Sequence, residues 1–286
     1  MSVSLTNERF LKLLSVYLNF REDCVTASDV RAVTAAGVDE TYAFALLLAE
    51  NLGVDTDGED KKFFHDYFIP SIKKLDVADY YSDDYFRLVN FDERSLGAFT
   101  LKKMTCPAYR AFVRDDFEYL PDGRVIPQIG FFGEDYRYPA ALSDGREWMT
   151  LLPNEINSQK KYIDAAFGKV ATYGLGLGYY AFKVAKKSEV SSVTVVDIDE
   201  NAVKLFKEVI LPCFPKSVAK KIRLVTADAF EFARSLHAGD FDYIYADIWH
   251  DVSDAVSAIE KFKEYEKFCP TAKFGYWIED TVKYYL

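Results

Sequence analysis

The sequence predicts an α/β protein: a parallel sheet of order 3-2-1-4-5 over residues 153–286, preceded by an N-terminal helical unit over 1–80 and a small antiparallel β-rich unit over 81–152. Three observations predict it. From Pro153 onward β-branched runs alternate with helical stretches, the pattern of a parallel sheet with helical crossovers. Residues 169–199, KVATYGLGLGYYAFKVAKKSEVSSVTVVDID, read as strand, glycine turn, helix and second strand. Upstream, short aromatic and β-branched runs are broken by turn residues, and before those lie helical periodicities.

The first unit is helical by spacing. Phe10, Leu13, Leu14, Tyr17 and Leu18 form an apolar stripe on a helix expected from Ser4 to Phe20. Ser28 is expected to cap a second helix that runs through Ala36 and stops at Gly37, and Asp39 to Asn51 forms a third with Tyr42, Ala45, Leu46 and Ala49 inward. Two helices around a glycine turn also fit a DNA-binding hairpin, but acids outnumber bases here, so nucleic acid is not favoured. Asp55 to Asp60 is a polar loop. Helical spacing resumes from Lys61 to Leu75, with Pro70 expected to kink or split it.

The second unit reads as strands at Tyr85 to Val89, Ala98 to Met104, Tyr109 to Val113, Arg124 to Phe132 and Trp148 to Leu152. Turn residues such as Pro121-Asp122-Gly123 and Asp144-Gly145 separate them, and Asp-Gly between such runs favours a hairpin. Phe131, Phe132, Tyr136, Tyr138 and Trp148 are expected mainly to fill the core of a small sheet, and as a group to wall a pocket beside the third unit.

In the third unit a helix from Asn154 to Phe167 leads into the strand at Lys169. Further strands are expected at Ser192 to Val196, Ile222 to Thr226, Phe241 to Ala246 and Lys273 to Ile278, with helices between them. The eight residues EDTVKYYL after Ile278 are too few for a closing hairpin, so five strands should form the core. Ligands of such sheets sit beyond the carboxyl ends of the strands. Those ends carry Asp197, Asp228 and Asp247, each of which could also serve as a helix cap.

Composition narrows the function. A chain of 286 residues, half of them hydrophobic, can bury a large core, yet no apolar run approaches the roughly 20 residues that span a bilayer. No secretory signal is read at MSVSLTNERF, and the four cysteines are scattered without a C-x-x-C pair, so a cytoplasmic protein without a metal site is expected. A net charge of −10 disfavours polyphosphate partners and suits a small or cationic substrate. The N-terminal helical unit leaves room for a homodimer.

Gly174, Gly176 and Gly178 permit positive φ and close approach of a ligand, while Asp197 at the end of the next strand could accept hydrogen bonds from a ribose diol. Tyr179 stands where a dinucleotide fingerprint needs its last glycine. Together VATYGLGLG, VTVVDID, IRLVTADAFEF and FDYIYAD resemble successive motifs of the class I S-adenosylmethionine-dependent methyltransferases, and are similar especially to the spermidine-synthase-like branch. The resemblance covers about residues 154–280 and implies a Rossmann-like fold. It implies S-adenosyl-L-methionine as cofactor, with Gly174, Gly176 and Gly178, flanked by Tyr173, along the methionine part. Asp197 with Ile198 would hold the ribose side, and Asp228 with Ala229 the adenine.

Asn154 and Glu155 are candidates for contact with the methionine end or the acceptor. Asp247 would face the sulfonium, and His250, whose ordinary pKa lies near neutrality, is the candidate base. Thr172, two residues before the first glycine, departs from the acid common there in the class I methyltransferases; departures from the spermidine-synthase branch are the glycine-poorer turn GLGLGYY and the spacing Asp247-Ile-Trp-His-Asp251, one residue longer than the aminopropyltransferase D-x-x-D. Methyl transfer to a small acceptor, cationic in view of Asp247 and Asp251, is therefore the leading expectation. Aminopropyl transfer, a nucleotide-dependent oxidoreductase and a catalytically silent nucleoside-binding module are the alternatives.

Overall fold

A computed structural model describes residues 2–285. The strands among them are, in chain order, β1 (Ile72–Leu75), β2 (Arg94–Leu96), β3 (Phe99–Cys106), β4 (Phe112–Tyr119), β5 (Val125–Phe132), β6 (Tyr136–Ser143), β7 (Arg146–Thr150), β8 (Gly168–Tyr173), β9 (Val190–Asp197), β10 (Ile222–Thr226), β11 (Tyr243–Ala246) and β12 (Lys273–Tyr276). They form three sheets, β1-β5-β4, β2-β3-β6-β7 and β10-β9-β8-β11-β12.

Two compact units result, Met1–Tyr80 with Thr105–Arg137, and Tyr81–Met104 with Tyr138–Leu286. The residues expected to form one β-rich unit over 81–152 are thus shared between two units, with the boundaries inside β3 and β6.

In the first unit the helices are Val3–Phe20, Ala27–Thr34 and Glu40–Asn51, and Phe10 and Leu14 are buried as the spacing predicts. On the third helix Ala45 and Ala49 are buried as expected, but Phe44 and Leu48 take the inward places expected of Tyr42, which is exposed, and Leu46, which is half-buried. Thr26, not Ser28, caps the second helix, through a reciprocal pair of bonds with Asp29. The stretch expected as a helix to Leu75 breaks instead: a π-helical turn Phe64–Phe68 and a short turn Ile69–Ser71 give way to β1, which pairs parallel with β5 from Ile72 opposite Ile129. Pro70 cannot donate within a longer helix, and a sheet partner distant in sequence outweighs the helical spacing. Phe131 stacks on Phe44 with centroids 4.0 Å apart, and Phe132 lies against Tyr136, so these rings are core.

The second unit holds the other two sheets. Asp144 and Gly145, at φ 50° and 77°, make the β6–β7 hairpin turn in the doubly left-handed form that matches strand twist. Tyr85 to Val89 is a helix, Asp84–Leu88, not a strand; the Asp83 carboxylate accepts the Tyr85 N–H and starts it.

The five-stranded sheet is parallel throughout, and counted from β8 its order is 3-2-1-4-5. Val170, Ala171, Val193, Val195, Ile244 and Tyr245 are all almost fully buried, as expected of strands covered on both faces. Register does the rest: Tyr173 lies opposite both Val196 and Ala246, so the residues that follow, Gly174, Asp197 and Asp247, emerge side by side. Among the described residues beyond Ile278 the chain forms a helix, Glu279–Val282, and no strand.

Candidate functional site

The glycine turn after β8 is shaped by what surrounds it. The Gly174 N–H donates to the Val196 carbonyl, and at φ 94° a side chain there would meet the Asp247 carbonyl oxygen at 2.0 Å. Gly178, at φ 73°, begins the helix Tyr179–Ala185, and a Cβ would fall 2.3 Å from the Phe206 ring. Those two glycines are required by packing. Gly176 faces the flexible side chain of Met149 instead, and it lines a cavity.

That cavity, of about 200 Å³, lies beyond the carboxyl ends of β8, β9 and β11. Gly174, Gly176, Asp197, Ile198, Asp228 and Ala229 line one part of it, and Asp247 and His250 another. The sequence-predicted candidates are therefore largely brought together. Three are not. The Tyr173 ring turns away and stacks on Phe262 at 5.2 Å; Gly178 is sealed by Phe206; Asn154, in the first turn of the helix Pro153–Ala165, lies outside the cavity lining, with its Oδ1 buried and unpartnered. Glu155 lines a second, more open cavity of about 740 Å³ beneath the β6–β7 hairpin, where Trp148, Met149 and His250 stand between the two spaces.

Asp197 is already engaged. Its two oxygens accept the N–H groups of Leu175 and Asp199, each at 2.9 Å, and burial, against those bonds, raises its pKa. Each oxygen keeps a lone pair for a further donor. Asp228 caps the helix Ala229–Arg234 through one oxygen, accepting from Phe230 and Glu231. Asp251 is a cap as well, bonded to Ser253, and lines neither cavity, which corrects its expected part in holding a cation. His250 is exposed, its ring edge-on to Trp148 with centroids 4.5 Å apart.

The polar centre of the site joins two of the sequence candidates, Asp247 and Glu155, with Gln159, Tyr180, Tyr245 and Trp249, which the sequence reading missed. Burial pushes the Asp247 carboxyl up to about 7, a bond from the Tyr245 hydroxyl opposing. Glu155 is held well above the ordinary carboxylate range by burial first and by Asp247 second. Gln159 Nε2 donates to Asp247 Oδ2 at 3.3 Å, and the Tyr245 hydroxyl reaches the same oxygen at 3.4 Å. Among the described residues no Lys, Arg or His pairs with either acid. Gln159 Oε1, Glu155 Oε2, the Tyr180 hydroxyl and Trp249 Nε1 are buried without a hydrogen-bond partner. Buried polar atoms are normally paired, so an unpartnered oxygen of the carboxyl pair together with three unpartnered atoms on residues of the site marks a place for a ligand. Tyr180, stacked on Tyr245 at 4.2 Å, had one signal in sequence, its place two residues after the last glycine.

Residues 161–269 match the spermine/spermidine synthase domain. The match takes in the glycine turn and the three strand-end acids, and it agrees with the motif resemblance to the spermidine-synthase-like branch of the class I methyltransferase superfamily. Similar solved structures include a probable spermidine synthase from Corynebacterium glutamicum ATCC 13032, at 17% identity and TM-score 0.35 over 49% of this chain and 55% of that one. The spermidine synthase from Thermotoga maritima is similar at 16% identity and TM-score 0.34, over 49% and 52%. A putative O-methyltransferase from Klebsiella pneumoniae is similar at 18% identity and TM-score 0.26, over 34% and 43%. The chain spans about half the length of the two synthases. No curated protein matches it. No helix among the described residues is long and apolar enough to cross a membrane, and no group of His, Cys, Asp and Glu among them could hold a metal ion.

Proposed function

We propose that this chain is a Rossmann-like transferase that moves an alkyl group from an adenosyl sulfonium donor to an amine. The observation that carries the reading is the half-buried pair Asp247 and Glu155, which has no protein cation paired with it among the described residues and lies between the glycine-turn cavity and the open one. Two half-buried carboxyls, desolvated and without a counter-ion, suit a cationic ligand.

The residues present fit a nucleoside donor. Gly176 admits a close approach, Asp197 has lone pairs for a ribose diol, and Ile198, Asp228 and Ala229 surround the space for a base. The cavity is smaller than the roughly 300–1,000 Å³ of common ligand sites, so Trp148 and Met149, on the hairpin strand β7, must shift to admit it. A bound donor would supply an electrophilic carbon on sulfur. As the amine nitrogen bonds to that carbon the carbon–sulfur bond breaks, and its electron pair stays on sulfur. The amine must first lose a proton, and Asp247, with a pKa near the working pH, is placed to take it. His250, exposed, orients the Trp148 side of the opening instead.

Methyl transfer from S-adenosylmethionine is the reading from the motifs. A specific observation favours the aminopropyl alternative: the donor cavity contains Asp197, Asp228 and Asp247 and neither Lys nor Arg, a poor setting for the donor's carboxylate and a better one for a decarboxylated donor. The family match favours it too. The test is incubation with each donor and a panel of mono- and diamines, followed by mass spectrometry. An amine that gains a methyl or an aminopropyl group supports the proposal and names the donor. Binding of donors without turnover on any amine points to the silent module and overturns the transferase reading.

A further inference from the structure

We infer that Tyr85 and Asp83, about ninety residues upstream of the glycine turn and outside the family-matched span, are positioning residues that pre-shape that turn for the donor. The inference rests on the adenosyl-donor reading above. The Tyr85 ring is fully buried, and its hydroxyl donates to the Leu177 carbonyl at 2.5 Å. Leu177 lies between two glycines at φ 48° and 73°, where the chain has little preference of its own and many alternatives. Edge-on contacts with Tyr179, Phe182 and Phe214, at 5.3 to 6.1 Å, leave the Tyr85 ring no other position. Burial raises its pKa well above the ordinary value, so the hydroxyl remains a donor at every working pH.

Asp83 holds the other side of the turn. One oxygen starts the helix Asp84–Leu88; the second accepts the Tyr179 hydroxyl at 3.0 Å and pairs with Lys183 at 2.8 Å. Tyr179 lines the donor cavity, so its ring direction is set from behind by Asp83. One short segment thus fixes Leu177 within the turn and Tyr179 just after it. A turn held in its binding shape before the ligand arrives loses less freedom on binding.

The test compares wild type with Tyr85→Phe and, as a milder change, Asp83→Asn, which keeps the cap oxygen and discards the charge. The probe is methylthioadenosine, the adenosyl thioether common to methyl and aminopropyl donors, titrated by calorimetry, with thermal unfolding measured alongside. Tyr85→Phe should remain folded and bind about tenfold more weakly, or about 1.4 kcal/mol. Asp83→Asn should bind about threefold more weakly, and in turnover the donor KM should rise with kcat at saturation unchanged. A lowered Tm with unchanged affinity in either variant makes the contacts merely structural and overturns the inference. Should Tyr85→Phe fail to fold, Asp83→Asn decides it by the same criterion. If wild type itself binds no adenosyl thioether, the donor reading and the inference fall together; binding by wild type with equal affinity in both variants removes the inference alone.

Discussion

The carboxyl at position 247 makes a quantitative prediction about stability. In an unfolded chain an aspartate titrates near ~3.9, whereas in the fold burial pushes Asp247 up to about 7. Between those values the folded protein keeps a proton that the unfolded chain has released, so stability falls as pH rises through this window and levels off above it. At about 1.4 kcal/mol per pH unit the fall between pH 5 and pH 8 is on the order of 2–3 kcal/mol, a large share of the roughly 5–15 kcal/mol typical of a domain.

Glu155, raised by burial and by Asp247, adds to the fall in the same direction. The groups that face Asp247 from its neighbours are the Tyr245 hydroxyl, the Gln159 amide, the Tyr180 hydroxyl and Glu155, none of them cationic. Asp247→Asn keeps an acceptor for Gln159 and removes the ionisation. Urea unfolding at pH 5 and pH 8 should show the variant losing less stability than wild type over this interval, by on the order of 2–3 kcal/mol. An identical pH dependence in the two proteins would refute the dehydrated carboxyl and the proton-acceptor role built on it.

Other consequences follow from the same geometry. In turnover, Asp247→Asn should lower kcat by about 10²- to 10⁴-fold, as expected for loss of a general base, and a near wild-type rate would remove Asp247 from the chemistry. Because Asp197 also holds the Leu175 and Asp199 N–H groups, Asp197→Ala should lower Tm as well as weaken donor binding by about 2–3 kcal/mol, while Asp197→Asn, which can still accept, should show the smaller effect on both; calorimetry and thermal unfolding of the pair check this. His250→Ala should raise KM for the acceptor through the loss of its contact with Trp148 and leave kcat within about threefold, and a kcat loss beyond ~10²-fold would return His250 to the role of base.

The parallel sheet was legible because its buried strands are continuous apolar runs ending in acids: VTVV before Asp197 and YIYA before Asp247 need no tertiary knowledge to place. The same is true of the Asp144-Gly145 hairpin. What misled was local pattern overruled from afar. Ile72 to Leu75 carries helical spacing but finds a strand partner in β5, and Tyr85 to Val89 looks β-rich until Asp83 is seen to cap it as a helix. Of the cofactor-side candidates, Gly174, Gly176, Asp197, Ile198, Asp228 and Ala229, which lie at or just beyond the ends of three neighbouring strands, came together in one cavity, while Tyr173, Gly178, Asn154 and Glu155 lie outside it. Glu155 and Asp247 are sequence candidates, but their pairing and their neighbours did not show: Glu155 and Gln159 come from one helix, Tyr180 from a second, Tyr245 from a strand and Asp247 from just beyond its end, and no spacing links them. Asp251 drew notice because it stands near Asp247 in sequence, yet its carboxylate is spent on the next helix.

The central claim is that the glycine-turn cavity takes an adenosyl sulfonium donor and not a dinucleotide. Calorimetric titration of the wild-type protein with methylthioadenosine, S-adenosylmethionine, its decarboxylated form and NAD tests it most directly. Saturable binding of methylthioadenosine and of at least one sulfonium donor, with no heat from NAD, is the predicted result; binding of NAD, or of none of the four, would contradict it.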